Sequence, residues 1–331
     1  MATLRETKDR IGSVRSTLKI TSAMKLVASA KLRKAQKAIE GMRPYERTLA
    51  EILAAVRTGE SSPRADRNYF SDKFAEKPIS APPSTTPAHD SPVPGKTAII
   101  AIASNSSLCG AFNANVVRKA LETIRACEGE VEVIPVGRKM AEALRRAGYT
   151  NPADFNDIIG HPSYEKSAAL ARSLAERFQA GELSRVVLVY NRFISSARQE
   201  PAAEQYLPFG EILRSAQDDK KWVQNDKNGA QDDKDKDDHG VILSEAEESD
   251  YIIEPDAETL LATLLPQVMM LKFHAAVLDS AAAEHAARTV AMQTASDNAE
   301  ELLGELTLEY NKGRQQKITA EILDLLGGAA Q

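Results

Sequence analysis

The sequence predicts an antiparallel two-helix coiled coil made by the two ends of the chain, with a small open α/β domain between them. Three observations carry this fold class: matching heptad stripes in both terminal stretches, opposite net charge on those stretches, and alternating strand-like and helix-like runs in the middle.

In residues 1–58 a seven-residue repeat runs through Leu4, Ile11, Leu18, Lys25, Leu32, Ile39, Glu46 and Leu53. It interleaves with Thr7, Val14, Thr21, Ala28, Ala35, Met42, Leu49 and Val56, and twelve of these sixteen positions are apolar, enough for a continuous seam. Toward the other end, Leu261, Val268, Ala275, Ala282, Thr289, Ser296, Leu303 and Tyr310 interleave with Leu264, Leu271, Leu278, His285, Met292, Ala299, Leu306 and Gly313, again twelve of sixteen apolar. Thr21, Ala28 and Ala35 keep the first seam thin, so the helices can approach closely. Residues 1–58 hold thirteen Lys or Arg against five Asp or Glu, whereas residues 256–331 hold five against eleven. The two stripes therefore attract each other, and a strict seven-residue repeat implies a left-handed supercoil.

The lengths do not match. At 1.5 Å per residue the first helix spans ~80 Å and the second, from about Asp256 to Leu326, roughly 105 Å. Pairing outward from the interior exhausts the first helix near Tyr310, and the following seam positions Gly313, Lys317, Ala320 and Asp324 carry no repeat. Ile318, Ile322, Leu325 and Leu326 nevertheless keep an apolar face on this overhang, which requires a partner around it.

Between the helices, residues 59–96 read as a linker, broken by Pro63, Pro78, Pro82, Pro83, Pro87, Pro92 and Pro94. Residues 97–213 read as a Rossmann-like open α/β sheet: strands at 97–103, 130–136 and 185–191, helices at 114–126, 138–147 and 164–180. Residues 214–250 carry twelve acidic side chains and a repeated AQDDK, at 216–220 and 230–234, and read as a flexible acidic insertion. The returning helix and its tip occupy 251–331.

Several sites fail inspection. Gly95-Lys96-Thr97 imitates the end of a phosphate loop, but Asp90 stands where its first glycine is required and a strand follows. SNSSLCGAFN offers Gly110 alone and reads as a turn shaped for packing. Asp233, Asp235 and Asp237 open like a calcium loop, yet Asp238 replaces its glycine and Ser244 its bidentate glutamate. Cys109 and Cys127 suit small core residues in a reducing compartment, and Asn105-Ser106-Ser107 has no secretory signal to make it a glycosylation site. His274 and His285 are expected to be packed and hydrogen-bonded rather than ligating. No catalytic, cofactor or metal site is expected. No apolar run approaches the ~18 residues of a membrane span, so direct membrane insertion is not expected.

A basic face survives on the first helix: Arg10, Arg15, Lys19, Lys25, Lys31, Arg33, Lys34 and Lys37, with no acid between Arg10 and Glu40. It suits a solvated surface, nucleic acid, or an acidic protein partner. Nucleic acid is disfavoured by the absence of interleaved aromatics and the net charge of −5.

Four blocks resemble the gamma subunit of F-type ATP synthases, the central shaft of that rotary motor: ITSAMKLVASAKLRKAQ at 20–36, SSLCGAFN at 106–113, YIIEPD at 251–256, and AAEHAARTVAMQTASDNA with EYNKGRQQKITAEILDLLGGAA at 282–299 and 309–330. The resemblance covers 1–58, 97–210 and 251–331. It departs in the long linker, in the acidic insertion and at Gln331, and with neither cysteine in the insertion the thiol switch of some photosynthetic relatives is not supported.

The resemblance implies a non-catalytic rotor with no cofactor, a proton- or sodium-driven machine, and a place on the cytoplasmic face of the bacterial inner membrane. Its implied partners are the α and β subunits of the catalytic hexamer, the ε subunit and the membrane c-ring. Met24, Lys25, Lys31, Arg33, Lys34, Arg314 and Gln315 match positions that couple to β. Ile318, Ile322, Leu325 and Leu326 form the tip bearing, and Tyr251 and Glu254 match the foot contact with ε and the c-ring. The competing readings are a stand-alone α/β enzyme with coiled-coil arms and, third, a nucleic-acid-binding coiled coil.

Overall fold

The computed structural model describes residues 3–58, residues 96–208 apart from 128, 152 and 154, and residues 257–328. Most of the expected linker, the acidic insertion at 214–250, Tyr251 and Glu254 lie outside the described residues. Helix α1 runs Leu4–Thr58. Then come β1 (Lys96–Ile102), α2 (Phe112–Ala126), β2 (Val131–Val136), α3 (Arg138–Arg146), α4 (Asn156–Gly160), α5 (Tyr164–Gln179), β3 (Leu183–Phe193), β4 (Gln199–Leu207) and α6 (Ala257–Gly328).

α1 and α6 pair antiparallel along the expected seams. Every seam residue whose side chain is described is buried or half-buried, from Leu4 to Leu49 on α1 and from Leu264 to Gly313 on α6. Three cross-links set the register. Thr21 and Ser296 share a buried hydroxyl hydrogen bond of 2.8 Å, Lys25 Nζ donates to Gln293 Oε1 at 2.8 Å, and a Cβ on Gly313 would meet Leu4 Cδ2 at 3.1 Å. Small side chains at the crossing explain the closeness: Ala282 and Ala286 pack on Leu32 and Ile39. The pairing therefore reaches Gly313 rather than stopping near Tyr310, because a glycine there leaves room for the last leucine of α1.

The middle of the chain folds as a four-stranded sheet in the order β2-β1-β3-β4, with β1 parallel to β2 and β3, and β4 antiparallel to β3. β1 alternates between two apolar layers. Ala98, Ile100 and Ile102 face α5 and the lower part of α6, while Ile99, Ala101 and Ala103 face α2 and α3. Burial on both faces produces the continuous apolar run seen in the sequence.

Two elements were not legible in advance. β4 contains Pro201, has no apolar run and is half-exposed along much of its length, as suits an edge strand; α4 is only five residues long. Lys96, expected in the linker, is the first residue of β1, where it pairs with Glu130.

α6 joins the domain to the shaft. Its lower part supplies Leu265, Val268, Met269, Leu271, Phe273, Ala276 and Val277 to the main core, where Leu49 of α1 also packs. The Tyr206 hydroxyl donates to the Met269 carbonyl at 2.8 Å, and its ring meets Phe273 edge-on. His274 Nδ1 hydrogen-bonds Ser167 Oγ of α5 at 3.1 Å beneath Tyr164, and burial lowers its pKa. Gly137 is the glycine the fold requires: its φ is 102°, and a Cβ there would lie 2.1 Å from the Ala103 carbonyl oxygen.

Candidate functional site

The outward surface of α1 mixes charge with grease. Lys31, Arg33 and Lys34 are exposed, as are Leu26 (68%), Ile20 (60%) and Val27 (57%). Ile20, Val27 and Lys34 stand seven residues apart, so they lie on one line along the coil, away from the seam. Met24 is half-buried beside that line, and Lys25, at a seam position, carries its ammonium across to Gln293. A basic face was expected here, and the three exposed aliphatics carry no signal of their own in the sequence, because off-seam apolar residues are common on helices.

Beyond Gly313 the seam has no partner among the described residues. Residues 314–323 of α6 are all exposed, among them Arg314, Gln315, Ile318, Ile322 and Leu323. Ile318 and Ile322 are four apart and so share a face, and the ion pair from Lys317 to Glu321 at 3.7 Å is solvent-exposed. Leu325 and Leu326 belong to the helix, but their side chains lie outside the described residues.

A third cluster ties the domain to the shaft. The loop after β1 turns back at Leu108, whose φ is 64°, and at Gly110, whose Cβ would sit 3.7 Å from that of Ala291. Cys109 and Phe112 pack on Ala283 of α6. Asn113 holds the loop shut by accepting from Ser104 N and Oγ at 3.1 and 2.9 Å. Arg288 then reaches in from α6. One guanidinium nitrogen donates to Glu284 Oε1 at 2.7 Å, and the other to Ser106 Oγ at 2.8 Å and the Ser107 carbonyl at 3.3 Å.

Both ions of this cluster are buried, and burial raises the Glu284 pKa while Arg288 and Lys31 of α1 pull it the other way. His285 is packed in the seam, but its Nδ1 lacks a hydrogen-bond partner, contrary to the sequence expectation. Burial, with Arg288 and Lys31 nearby, lowers its pKa to about 4. Glu284 and Arg288 escaped the sequence reading because an i,i+4 Glu–Arg pair is ordinary on a helix, and only the returning loop buries this one.

This loop leaves the carboxyl end of β1, the end of an open α/β sheet where ligands usually sit. Here Phe193, Cys109 and Phe112 meet α6 instead, so the chain's own helix covers that end. Among the described residues no group of His, Cys, Asp and Glu could hold a metal, and no helix is long and apolar enough to cross a membrane.

A long paired shaft, an α/β foot clamped to its lower part and a single-helix apex together define a stalk protein, a part that transmits mechanical work rather than transforming a substrate. The family profile described as "ATP synthase" matches residues 3–331. The ATP synthase gamma chain of Bacteroides fragilis (strain YCH46) is 44% identical over 99% of both chains, that of Bacteroides thetaiotaomicron 43% over 100% of both, and that of Flavobacterium johnsoniae 35% over 99% of this chain and 98% of its own. The chain belongs to the ATP synthase gamma chain family, and its part is that of the non-catalytic central-stalk subunit.

The fold is shared with chains in two Euglena gracilis mitochondrial ATP synthase structures. A rotor chain matches with TM-score 0.54 at 20% identity, covering 95% of this chain and 98% of that one. A chain from the OSCP/F1/c-ring assembly matches with TM-score 0.57 at 21% identity, covering 99% and 93%.

Proposed function

We propose that this chain turns inside a ring of catalytic α and β subunits and carries torque between them and a membrane c-ring, in a proton- or sodium-translocating ATP synthase. The observation that carries the reading is the overhang: α6 outruns α1, and residues 314–323 are exposed with Ile318, Ile322 and Leu323 still apolar. A lone amphipathic helix end of this kind gains stability only when another surface encloses it. Ile318 and Ile322, with Leu325 and Leu326 beyond them, are the bearing of the apex. Arg314 and Gln315 sit just outside the last paired level and suit polar contacts with β.

On α1, Met24, Lys25, Lys31, Arg33 and Lys34 meet acidic and apolar groups of β, and the exposed Ile20, Leu26 and Val27 add desolvated area to that contact. Because the shaft presents a different face in each direction, turning it changes which catalytic site is favoured; coupling of this kind needs no chemistry in the shaft itself. Tyr251 and Glu254 serve the foot, where ε and the c-ring dock. The linker spans 59–95, the acidic insertion 214–250, and the assembly lies on the cytoplasmic face of a bacterial inner membrane.

Affinity-tagged chain should recover α, β and ε subunits together, identified by mass spectrometry. Recovery of none of them, with turnover of a small substrate by the isolated chain, would favour an α/β enzyme with coiled-coil arms.

A further inference from the structure

The foot is fastened to α6 at two levels. The lower fastening is Tyr206 on the Met269 carbonyl and Ser167 on His274. The upper one is Arg288, whose single guanidinium holds Glu284 on its own helix and Ser106 and Ser107 on the loop. His274 and Arg288 are two heptads apart, hence at equivalent positions around the coil and ~21 Å apart along it. The apolar core that α6 shares with the sheet at the lower level already holds the foot over a broad area, and a directional contact ~21 Å higher adds resistance to twisting away from that anchored position.

The other contacts at the upper level are smooth. Cys109 and Phe112 rest on Ala283, and Gly110 faces Ala291, so alanine-sized surfaces could slide past one another. Arg288 supplies directional bonds there, and they are shielded from water, because Arg288 is 9% exposed and Glu284 7%. A buried ion pair of this type adds little net stability but penalises every arrangement that breaks it, which suits a device that fixes an angle.

We propose that Arg288 is the positioning residue that locks the foot at one angle on the shaft, so that torsion passes from foot to helices through the Ser106–Ser107 loop. This rests on the rotor reading above. Its test is the stiffness of the rotor in the assembled complex, taken from the angular fluctuation of a bead attached to the foot while the catalytic ring is arrested.

Arg288→Leu removes the upper fastening and leaves the lower one with its apolar core, so the angular variance should rise while the complex still assembles. Ser106→Ala, which spares the Glu284–Arg288 pair, should broaden it in the same direction by less. Arg288→Lys should not restore stiffness, because an ammonium on one stem cannot fork between Glu284 and Ser106.

A covalent substitute supplies the decisive arm. Gly110→Cys with Ala291→Cys, in a chain carrying Cys109→Ala and Cys127→Ala, would place the two Cβ atoms 3.7 Å apart, within the ~3.5–4.5 Å that a disulfide spans. Oxidised, this bond should return the Arg288→Leu rotor to the original variance, and reduction should release it again. Unchanged variance in Arg288→Leu, or no narrowing on oxidation, would overturn the lock. If even the unsubstituted chain supported no rotation, the rotor reading itself would fall, and the lock with it.

Discussion

One helix lives in two environments. Between Leu265 and Ala299, α6 is wrapped by α1 and the foot, and Val277, Ala282, Ala283 and Ala286 have no exposed surface at all. Between Arg314 and Leu323 every residue of the same helix is exposed among the described residues, and Ile318 and Ile322 are about half exposed. The lower part is stabilised by its own chain, so its mutations act on folding. On the proposed reading the apex is enclosed in the assembly, so its mutations should act on the complex.

The largest effects should come from the wrapped part and its domain. Phe273→Ala empties a fully buried site and should cost about 3–5 kcal/mol in denaturant unfolding of the isolated chain. Gly137→Ala forces a Cβ onto the Ala103 carbonyl and should lose a comparable amount. A Phe273→Ala chain as stable as the parent would dissolve the contrast.

Next comes acid. His285 has a folded-state pKa lowered to about 4 from 6.5, so the unfolded chain binds the proton more readily. Its contribution is complete above pH 6.5 and is lost as pH falls toward about 4, amounting at most to about 3 kcal/mol. The raised Glu284 pKa acts with the opposite sign, so the quantity to measure is the difference in pH-dependent stability between the parent and His285→Leu, which should be flatter over that window.

The exposed surfaces should behave in reverse. Ile318→Ala with Ile322→Ala should shift the isolated chain by less than ~0.5 kcal/mol, yet loosen its retention in the assembled complex. Reversing Lys31, Arg33 and Lys34 together should lower ATP-driven ion pumping more than stability, with any stability loss arising at Lys31, which lies near the buried Glu284; a reconstituted complex that pumps normally would remove that face from the coupling surface. Smallest of all, a chain lacking 214–250 should drive rotation as the parent does, and failure to assemble would make the insertion structural.

Much of this was legible in residue spacing. The seam could be read residue by residue because a coiled coil repeats one contact geometry every seven residues, so periodicity alone says which side chains face the partner. The buried strands β1 and β3 were legible for a similar reason, being covered on both faces. β4 was not, because an edge strand that carries a proline and half-exposed polar residues leaves no apolar trace. Nor was the Arg288 cluster, because its burial depends on a loop that returns from far away in the chain.

By itself, then, the order of amino acids settled the shaft, its antiparallel sense and its overhang, since these follow from local repeats, charge and length. Only the tertiary structure decided how the foot sits on the shaft. That arrangement depends on a guanidinium from one end of the chain meeting a loop some 180 residues earlier, and burial at such a meeting is a property of the packed whole that no local pattern encodes.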